Sequence, residues 1–173
     1  MEYGIDCSLN NVGLSKWNNG VLQELHLLRN DKVKYPKKVL KSEITANKIQ
    51  SIFNFIDENV MLCSDVVYIE RPSGSQDSNG MVNYAIEICV YSYLKNKGLN
   101  VQWVKVNDVK KVLTGKKDAT KKEMIEKAHH MYPHALRPEY DWLTDKNGKL
   151  YNYNEHLADS IAVYLAGKTI DSH

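Results

Sequence analysis

The chain has 173 residues, 43% of them hydrophobic and 25% charged, and its 23 basic and 21 acidic residues leave a net charge of +2. This length and apolar content suit one globular domain over residues 1–173, with a core that needs no disulfide for stability. No apolar run is long enough to cross a bilayer, and no basic leader with an apolar core opens the sequence. These features exclude a membrane-spanning protein and indicate a soluble, cytoplasmic one.

The cysteines provide no evidence of a metal site or a disulfide framework. Cys7, Cys63 and Cys89 lie inside or beside apolar runs, at spacings that match neither kind of site. We expect reduced thiols that pack in the core, as is usual in the cytosol.

Three consecutive strands are predicted over residues 3–7, 12–17 and 21–28, separated by the turn sequences SLNN and NNG. They should form an antiparallel meander. Asp6 stands near the end of the first strand, where a core residue is expected. A buried charge without a partner costs several kcal/mol, so Asp6 must be paired, face solvent or bind a cation.

The middle of the chain alternates helices with buried strands. A helix is predicted over residues 42–59, with its apolar residues on one face. Residues 65–71 form an apolar run that is typical of a strand buried on both faces, and it ends in a second carboxylate, Glu70. After a polar loop, we expect a long amphipathic helix over residues 81–97 and a short strand over residues 101–106.

The last part of the chain is mostly helical. Helices are predicted over residues 108–113, 120–131 and 154–166, with an irregular excursion over residues 132–153 that has room for a small hairpin. The order of elements predicts an α/β fold. Its five-stranded mixed sheet should have three antiparallel strands, then two parallel ones, with helices on both faces.

Four side chains that can bind a metal should meet at one edge of this sheet. If the strands that carry Asp6 and Glu70 are neighbours, both carboxylates emerge at the same edge. His156 and Asp159 are three residues apart and therefore share one face of the last helix. Mg²⁺ prefers oxygen ligands, and two such ions can activate a water and stabilise the leaving oxygen in phosphodiester hydrolysis. The pattern therefore indicates a nuclease.

Each of these residues alone also has an ordinary structural explanation. A strand-end aspartate such as Asp6 is usually a cap or a turn residue, and Glu70 could be an exposed strand terminus. A lone histidine or helix aspartate is most often a surface residue. Their joint occurrence favours the metal site.

The basic residues are 20 lysines and 3 arginines, and many of the lysines lie in two stretches, residues 32–41 and 105–127. Clustered lysines can form a phosphate-facing surface on a chain that is nearly neutral overall. A solvated helix face is the competing interpretation.

Four motifs, in this order and spacing, resemble the RuvC family of Holliday-junction resolvases, which belongs to the ribonuclease H-like superfamily. They are GIDCSLNNVG at residues 4–13, YIERP at 68–72, VKKVLTGKKDATKKEMI at 109–125 and HLADSIAVYLA at 156–166. The resemblance covers nearly the whole chain, and it implies a ribonuclease H-like fold and two Mg²⁺ ions per active site, with Mn²⁺ able to substitute. The implied metal ligands are Asp6, Glu70, His156 and Asp159.

The resemblance also implies how DNA is bound. The family's stretch VKxxxxGxGxAxK is similar to residues 109–121 and places catalytic lysines at Lys110 and Lys121. The implied partner is branched double-stranded DNA, cut by a homodimer built partly on the helix at residues 81–97, whose apolar surface is wider than one buried stripe needs. The lysines expected to bind DNA are Lys105, Lys110, Lys111, Lys116, Lys117, Lys121 and Lys122.

The sequence departs from the family pattern in three places. Lys117 replaces the second glycine of the lysine motif. RPSGSQDSNG, residues 71–80, has no counterpart of the aromatic residue that bacterial members stack against a base at the junction. The excursion over residues 132–153 is longer than in a typical bacterial member. Compact, divergent versions are familiar from bacteriophages, so a phage protein acting in the host cytoplasm is one hypothesis.

Three other functions stay open. The first is a related nuclease, either a ribonuclease H-type enzyme or a relaxed debranching enzyme that cuts forks, flaps and three-way junctions. The second is a sugar-kinase or actin-like nucleotide-binding domain, which opens with a similar hairpin but needs two lobes, whereas this chain is long enough for one. The third is an inactive DNA-binding module, which is disfavoured because all four ligand positions are filled.

Overall fold

Three antiparallel strands open the chain in the computed structural model, which describes residues 1–71 and 78–171. They are β1 (Glu2–Cys7), β2 (Asn11–Asn18) and β3 (Val21–Arg29). Asn19 and Gly20, both at positive φ, form the turn between the second and third strands, a geometry that suits the twist of a tight hairpin. The predicted meander is confirmed.

The described residues also contain five α-helices and two further strands. They are α1 (Lys41–Asn59), β4 (Val66–Glu70), α2 (Ser78–Asn96), β5 (Val101–Val104), α3 (Val106–Thr114), α4 (Lys121–Met131) and α5 (Glu155–Asp171). The sheet order is β3-β2-β1-β4-β5, with β1 parallel to β4 and β4 parallel to β5. This confirms the predicted α/β fold class. No helix in residues 1–71 or 78–171 is long and apolar enough to span a membrane.

The sheet is covered on both faces. One face packs against α1 and α2, and the other packs against α3, α4 and α5. Side chains alternate along β1, so that Cys7 is buried in the core shared with α1 and α2, whereas Gly4 and Asp6 face α5. The other two cysteines are exposed, so the prediction that all three pack in the core is wrong for Cys63 and Cys89.

Helix α5 lies very close to the sheet because the residues beneath it are small. A Cβ atom at Gly13 would overlap the carbonyl oxygen of His156, and one at Gly4 would overlap that of Ser160. The hydroxyl of Ser15 donates a buried hydrogen bond of 2.9 Å to the Ser160 carbonyl oxygen. These contacts fix the distance between the sheet and α5, the helix that carries His156.

Residues 132–153 lie across the free edge of β3. The backbone N–H groups of Leu136 and Arg137 donate to carbonyl oxygens of β3, each at 3.0 Å. An isolated antiparallel bridge joins Thr144 to Leu150, where the sequence had room for a small hairpin. The excursion therefore covers a strand edge that would otherwise be open to pairing with another chain.

Candidate active site

Asp6 and Glu70 lie side by side at one edge of the sheet. In the parallel pairing of β1 with β4, Ile5 is opposite Ile69, and the next residues along the two strands are Asp6 and Glu70. Adjacent strands are separated by about 4.8 Å. Tyr68, two residues before Glu70, packs in the core beneath α5, so Glu70 projects to the same face as Asp6. The two carboxylates therefore share the edge that the sequence predicted.

His156 approaches the strand ends from the first turn of α5. Its Nδ1 lies 2.7 Å from Asp6 Oδ2 and its Nε2 lies 3.5 Å from Glu155 Oε1. With the Asn11 amide oriented to satisfy its neighbours, the amide oxygen accepts a hydrogen bond from His156 Nε2 at 3.3 Å. Burial by itself lowers the pKa of His156, but the hydrogen bond to Asp6 and the charges of Asp6 and Glu155 raise it overall. Because both ring nitrogens face acceptor oxygens, the imidazolium form is favoured.

Asp159 lies one helical turn beyond His156 and interacts with the same acidic pair. Burial raises the pKa of Asp159 well above its ordinary value, and the charges of Asp6 and Glu70 raise it further. Burial likewise raises the pKa of Glu70 to about 8, with smaller effects from Asp6 and Glu87. These shifts indicate three carboxylates in one poorly solvated space, where their charges repel.

A further carboxylate, Glu87 on α2, was missed by sequence reasoning. Its Oε2 atom is buried and has no hydrogen-bond partner among the described residues. Burial and the charge of Asp6 raise the pKa of Glu87 to about 7. The sequence offered only a weak signal, because Glu87 is the single acidic residue in the largely apolar sequence of α2.

Lys110 and Lys121 bring positive charge to the acidic group. The charge of Lys110 lowers the pKa of Glu70 and Asp159, although burial has the larger, opposite effect on both. Lys121 Nζ lies 2.8 Å from Glu155 Oε2, and Glu155 is the residue next to the candidate ligand on α5. Both predicted catalytic lysines are therefore close enough to interact with acidic groups of the site.

The other predicted DNA-binding lysines lie just before α3, within it, in the loop after it and in the first turn of α4. They are exposed, and they are Lys105, Lys111, Lys116, Lys117 and Lys122. Lys116 pairs with Glu123 at 3.0 Å, and Lys122 pairs with Glu126 at 3.6 Å. Exposed ion pairs of this kind are weak, so these lysines can exchange their partners for phosphate at little cost.

The donor set suits a hard divalent cation. It combines carboxylates with an imidazole, and it includes the buried oxygen of Glu87 that has no partner in the described part of the chain. Within residues 1–71 and 78–171, however, no three His, Cys, Asp or Glu side chains surround one common ion position. The hydrogen bond between His156 and Asp6 provides a physical reason, because it occupies a ligand atom of each residue. A cation would have to replace this contact.

Comparison with known proteins identifies the fold. No protein-family model matches the chain, and no curated protein matches it significantly. A structure of T. thermophilus RuvC in complex with a Holliday junction substrate shares 16% identity, with a TM-score of 0.62 over 98% of this chain and 93% of that chain. A second Thermus thermophilus RuvC structure shares 19% identity, with a TM-score of 0.56 over 99% of this chain and 95% of that chain. This chain has the RuvC fold.

The RuvC fold confirms the likeness that the four sequence motifs indicated. In this structure β1 and β4 are parallel neighbours, so they end at the same edge of the sheet. The polar stretch without an aromatic residue falls mainly on residues 72–77, which lie outside the described residues.

Proposed function

We propose that this protein is a metal-dependent endonuclease that nicks branched DNA, four-way Holliday junctions in particular. The strongest support is that Asp6, Glu70 and Asp159, which are far apart in sequence, share one poorly solvated space on a RuvC fold. Strongly perturbed carboxylates gathered in this way are typical of functional sites. One similar structure is a complex with a Holliday junction substrate, so this substrate class is the first to test.

Two Mg²⁺ ions would be held at the strand ends, with Glu87 adding negative charge nearby. Their proposed ligands are Asp6, Glu70, His156 and Asp159. When bound, the ions supply an activated water and stabilise the leaving oxygen of the phosphodiester. The protein contributes rigid positions, because two ligands stand on neighbouring strands and two stand on a helix that is held tightly against the sheet.

His156 has to lose a proton before its Nδ1 atom can bind a metal. In the structure this atom donates to Asp6, and the pKa of His156 is raised. Metal binding therefore competes with the proton and should strengthen as the pH rises. Because imidazole suits Mn²⁺ better than Mg²⁺, Mn²⁺ should support faster cleavage. His156→Asp should retain activity if His156 is a ligand.

Lys110 and Lys121 would hold the phosphate that is cleaved, and the other exposed lysines of α3, α4 and their connecting loop would bind the DNA backbone. Lys121 is 80% exposed at its side chain, so it can leave Glu155 for a phosphate oxygen. Because phosphate contacts release counterions, the affinity for DNA should fall steeply with salt.

The protein would act as a homodimer. Helix α2 packs on the sheet with one face, and apolar side chains are exposed on the rest of its surface. The exposed ones are Met81, Val82, Tyr84 and Ile88. A twofold dimer built on this face would carry two active sites, which suits the near-symmetric strands of a four-way junction.

A cleavage assay tests the proposed function. The full chain is incubated with Mg²⁺ or Mn²⁺ and labelled four-way junctions, three-way junctions, flaps, RNA:DNA hybrids and linear duplex. We expect nicks in the four-way junction, and we expect Asp6→Asn to cut about 100-fold more slowly while binding the junction in Ca²⁺ at least as well as wild type. Asp65→Asn is the matched control, because Asp65 is 73% exposed and precedes the opposite end of β4.

Each outcome separates the alternatives. Equal cutting of flaps and three-way junctions would indicate a relaxed debranching nuclease, and cutting of the hybrid alone would indicate a ribonuclease H-type enzyme. A folded wild-type protein that cuts none of these substrates would refute the nuclease proposal. Equal loss of binding and cutting in Asp6→Asn would argue against a metal role for Asp6.

A further inference from the structure

Two tyrosines form a stacked pair immediately before α5. The rings of Tyr151 and Tyr153 have centroids 4.8 Å apart and planes inclined by 17°. The guanidinium carbon of Arg29 lies 3.9 Å from the centroid of the Tyr153 ring, which adds a cation–π contact. Tyr151 is the outer ring of this group and is 39% exposed. We call these three side chains the tyrosine platform.

The tyrosine platform is next to the candidate active site. Tyr153 precedes His156 by three residues and lies in the short 3₁₀ turn, Asn152–Asn154, immediately before α5. Arg29 ends β3 and pairs with Asn11 of β2, and the Asn11 amide faces the Nε2 atom of His156. The platform therefore flanks the site on the β2 and β3 side, whereas β4, which carries Glu70, lies on the other side of β1.

The tyrosine platform is held rigidly. Arg29 makes two hydrogen bonds to Asp31, at 2.8 and 3.2 Å, so its guanidinium is fixed in orientation. Asn154, which follows Tyr153 in the chain and is fully buried, exchanges hydrogen bonds with the backbone of Leu143 at 2.7 and 3.2 Å. The Tyr151 N–H also donates to the carbonyl oxygen of Leu143, at 3.2 Å. A ring held in this way loses little conformational entropy when a ligand stacks on it.

The charges around the platform favour a polyanionic ligand. Beyond Arg29 the chain enters the lysine-rich stretch at residues 32–41, in which Lys32 and Lys34 are exposed. Lys48 extends this basic surface to the turn between β1 and β2, because its Nζ atom lies 2.7 Å from the Oδ1 atom of Asn10 in that turn. An exposed aromatic face beside basic side chains is the arrangement by which proteins bind unpaired bases of nucleic acids.

We infer that the tyrosine platform stacks an unpaired base of the DNA strand that enters the candidate active site. This inference rests on the proposed function and adds a specific contact to it. Tyr151 supplies the exposed face, while Tyr153 and Arg29 support it from within the protein. The contact would hold a branch point open beside the site, since a base that stacks on Tyr151 is withdrawn from its partner in the duplex.

Photocrosslinking tests the platform with the full chain and a four-way junction that carries 5-iodouracil at the branch point. The experiment is done in Ca²⁺, and mass spectrometry locates the crosslinked residue. We expect a crosslink at Tyr151 in the wild type. Tyr151→Ala should lose it and bind the junction about 5-fold to 100-fold more weakly, which corresponds to the loss of one stacked base. Tyr151→Phe should bind like the wild type because it keeps the ring.

Tyr140→Ala is the matched control. Tyr140 is 37% exposed, and its ring contacts His26 in β3 at a tilt of 37°, away from the strand ends. It should leave both the crosslink and the affinity unchanged. If the wild type cuts junctions but Tyr151→Ala binds within twofold of it and no crosslink forms at Tyr151, the platform is refuted and the proposed nuclease stands. If the wild type neither binds nor cuts branched DNA, both proposals fall.

Discussion

At the scale of single residues, the candidate site holds protons on the same atoms that the proposed cations would bind. Glu70 keeps its proton at neutral pH because its pKa is about 8, and the pKa of Asp159 is also raised. His156 donates to Asp6 through the nitrogen that would face a metal. Protons bound at these positions therefore reduce the repulsion between the buried carboxylates.

The metal-free protein should lose stability as the pH rises. The pKa of Glu70 is about 8 in the folded chain against an ordinary value of 4.5, so between these values the folded state binds more protons than the unfolded state. The free energy of unfolding should therefore fall through this window, since a tenfold difference in proton affinity between the two states corresponds to about 1.4 kcal/mol. The raised pKa of His156 acts with the same sign. Urea denaturation in EDTA, at about pH 5 and about pH 8, measures the difference.

Two variants show whether Glu70 causes this dependence. Glu70→Gln should reduce the change in the free energy of unfolding with pH, because a glutamine side chain stays neutral at every pH. Glu126→Gln changes a glutamate whose side chain is 62% exposed, and it should keep the wild-type slope. If the slope of Glu70→Gln equals that of the wild type, Glu70 titrates normally and the account of the buried carboxylates is wrong.

The four candidate ligands could be predicted because each stands at a position with a local signal. Asp6 and Glu70 interrupt apolar strands at their ends, and His156 and Asp159 have helical spacing. Glu87 has no such spacing, and its approach to Asp6 depends on how α2 packs on the sheet. Contacts of this kind arise from tertiary structure, so sequence periodicity does not reveal them.

At the scale of elements, the site depends on the distance between α5 and the sheet. Gly13 lets the first turn of α5 approach β2, and the Ser15 hydroxyl holds the next turn through Ser160. The positions of α5 and the strands were predictable from periodicity and turn residues. The start of α2 was harder to predict, because the helix begins at Ser78 and its first turn includes the poor helix formers Asn79 and Gly80.

The outer face of α2 should form a dimer interface. Ile88 is 38% exposed on this face, and burying it against a second copy removes apolar surface from water. We expect analytical ultracentrifugation at micromolar concentration to show a dimer for the wild type and a monomer for Ile88→Lys. The variant should keep the wild-type circular dichroism spectrum, because the side chain lies on the surface.

Val21→Lys is the control for this experiment. Val21 is 53% exposed but lies at the start of β3, which is at one end of the sheet order and away from α2. It should sediment like the wild type. A wild-type protein that is monomeric both alone and on branched DNA would contradict the dimer.

At the scale of the whole molecule, one edge of the sheet gathers the features on which the proposed nuclease depends. The acidic group stands at the ends of β1 and β4, lysines of α3 and α4 lie on one side, and the tyrosine platform lies on the other. The fold was predictable because hairpin turns, a doubly buried strand and alternating helices agree with one topology. The path of residues 132–153 was not, because irregular segments have no periodicity to read.

The central claim is that Asp6, Glu70, His156 and Asp159 bind shared cations. Crystals grown with Mn²⁺ test it most directly, because anomalous scattering locates the metal without any assumption about activity. We predict anomalous density within coordinating distance of Asp6 and of at least one of the other three side chains, and its loss in Asp6→Asn crystals. Mn²⁺ that binds only elsewhere, or density that persists unchanged in Asp6→Asn, would contradict the claim.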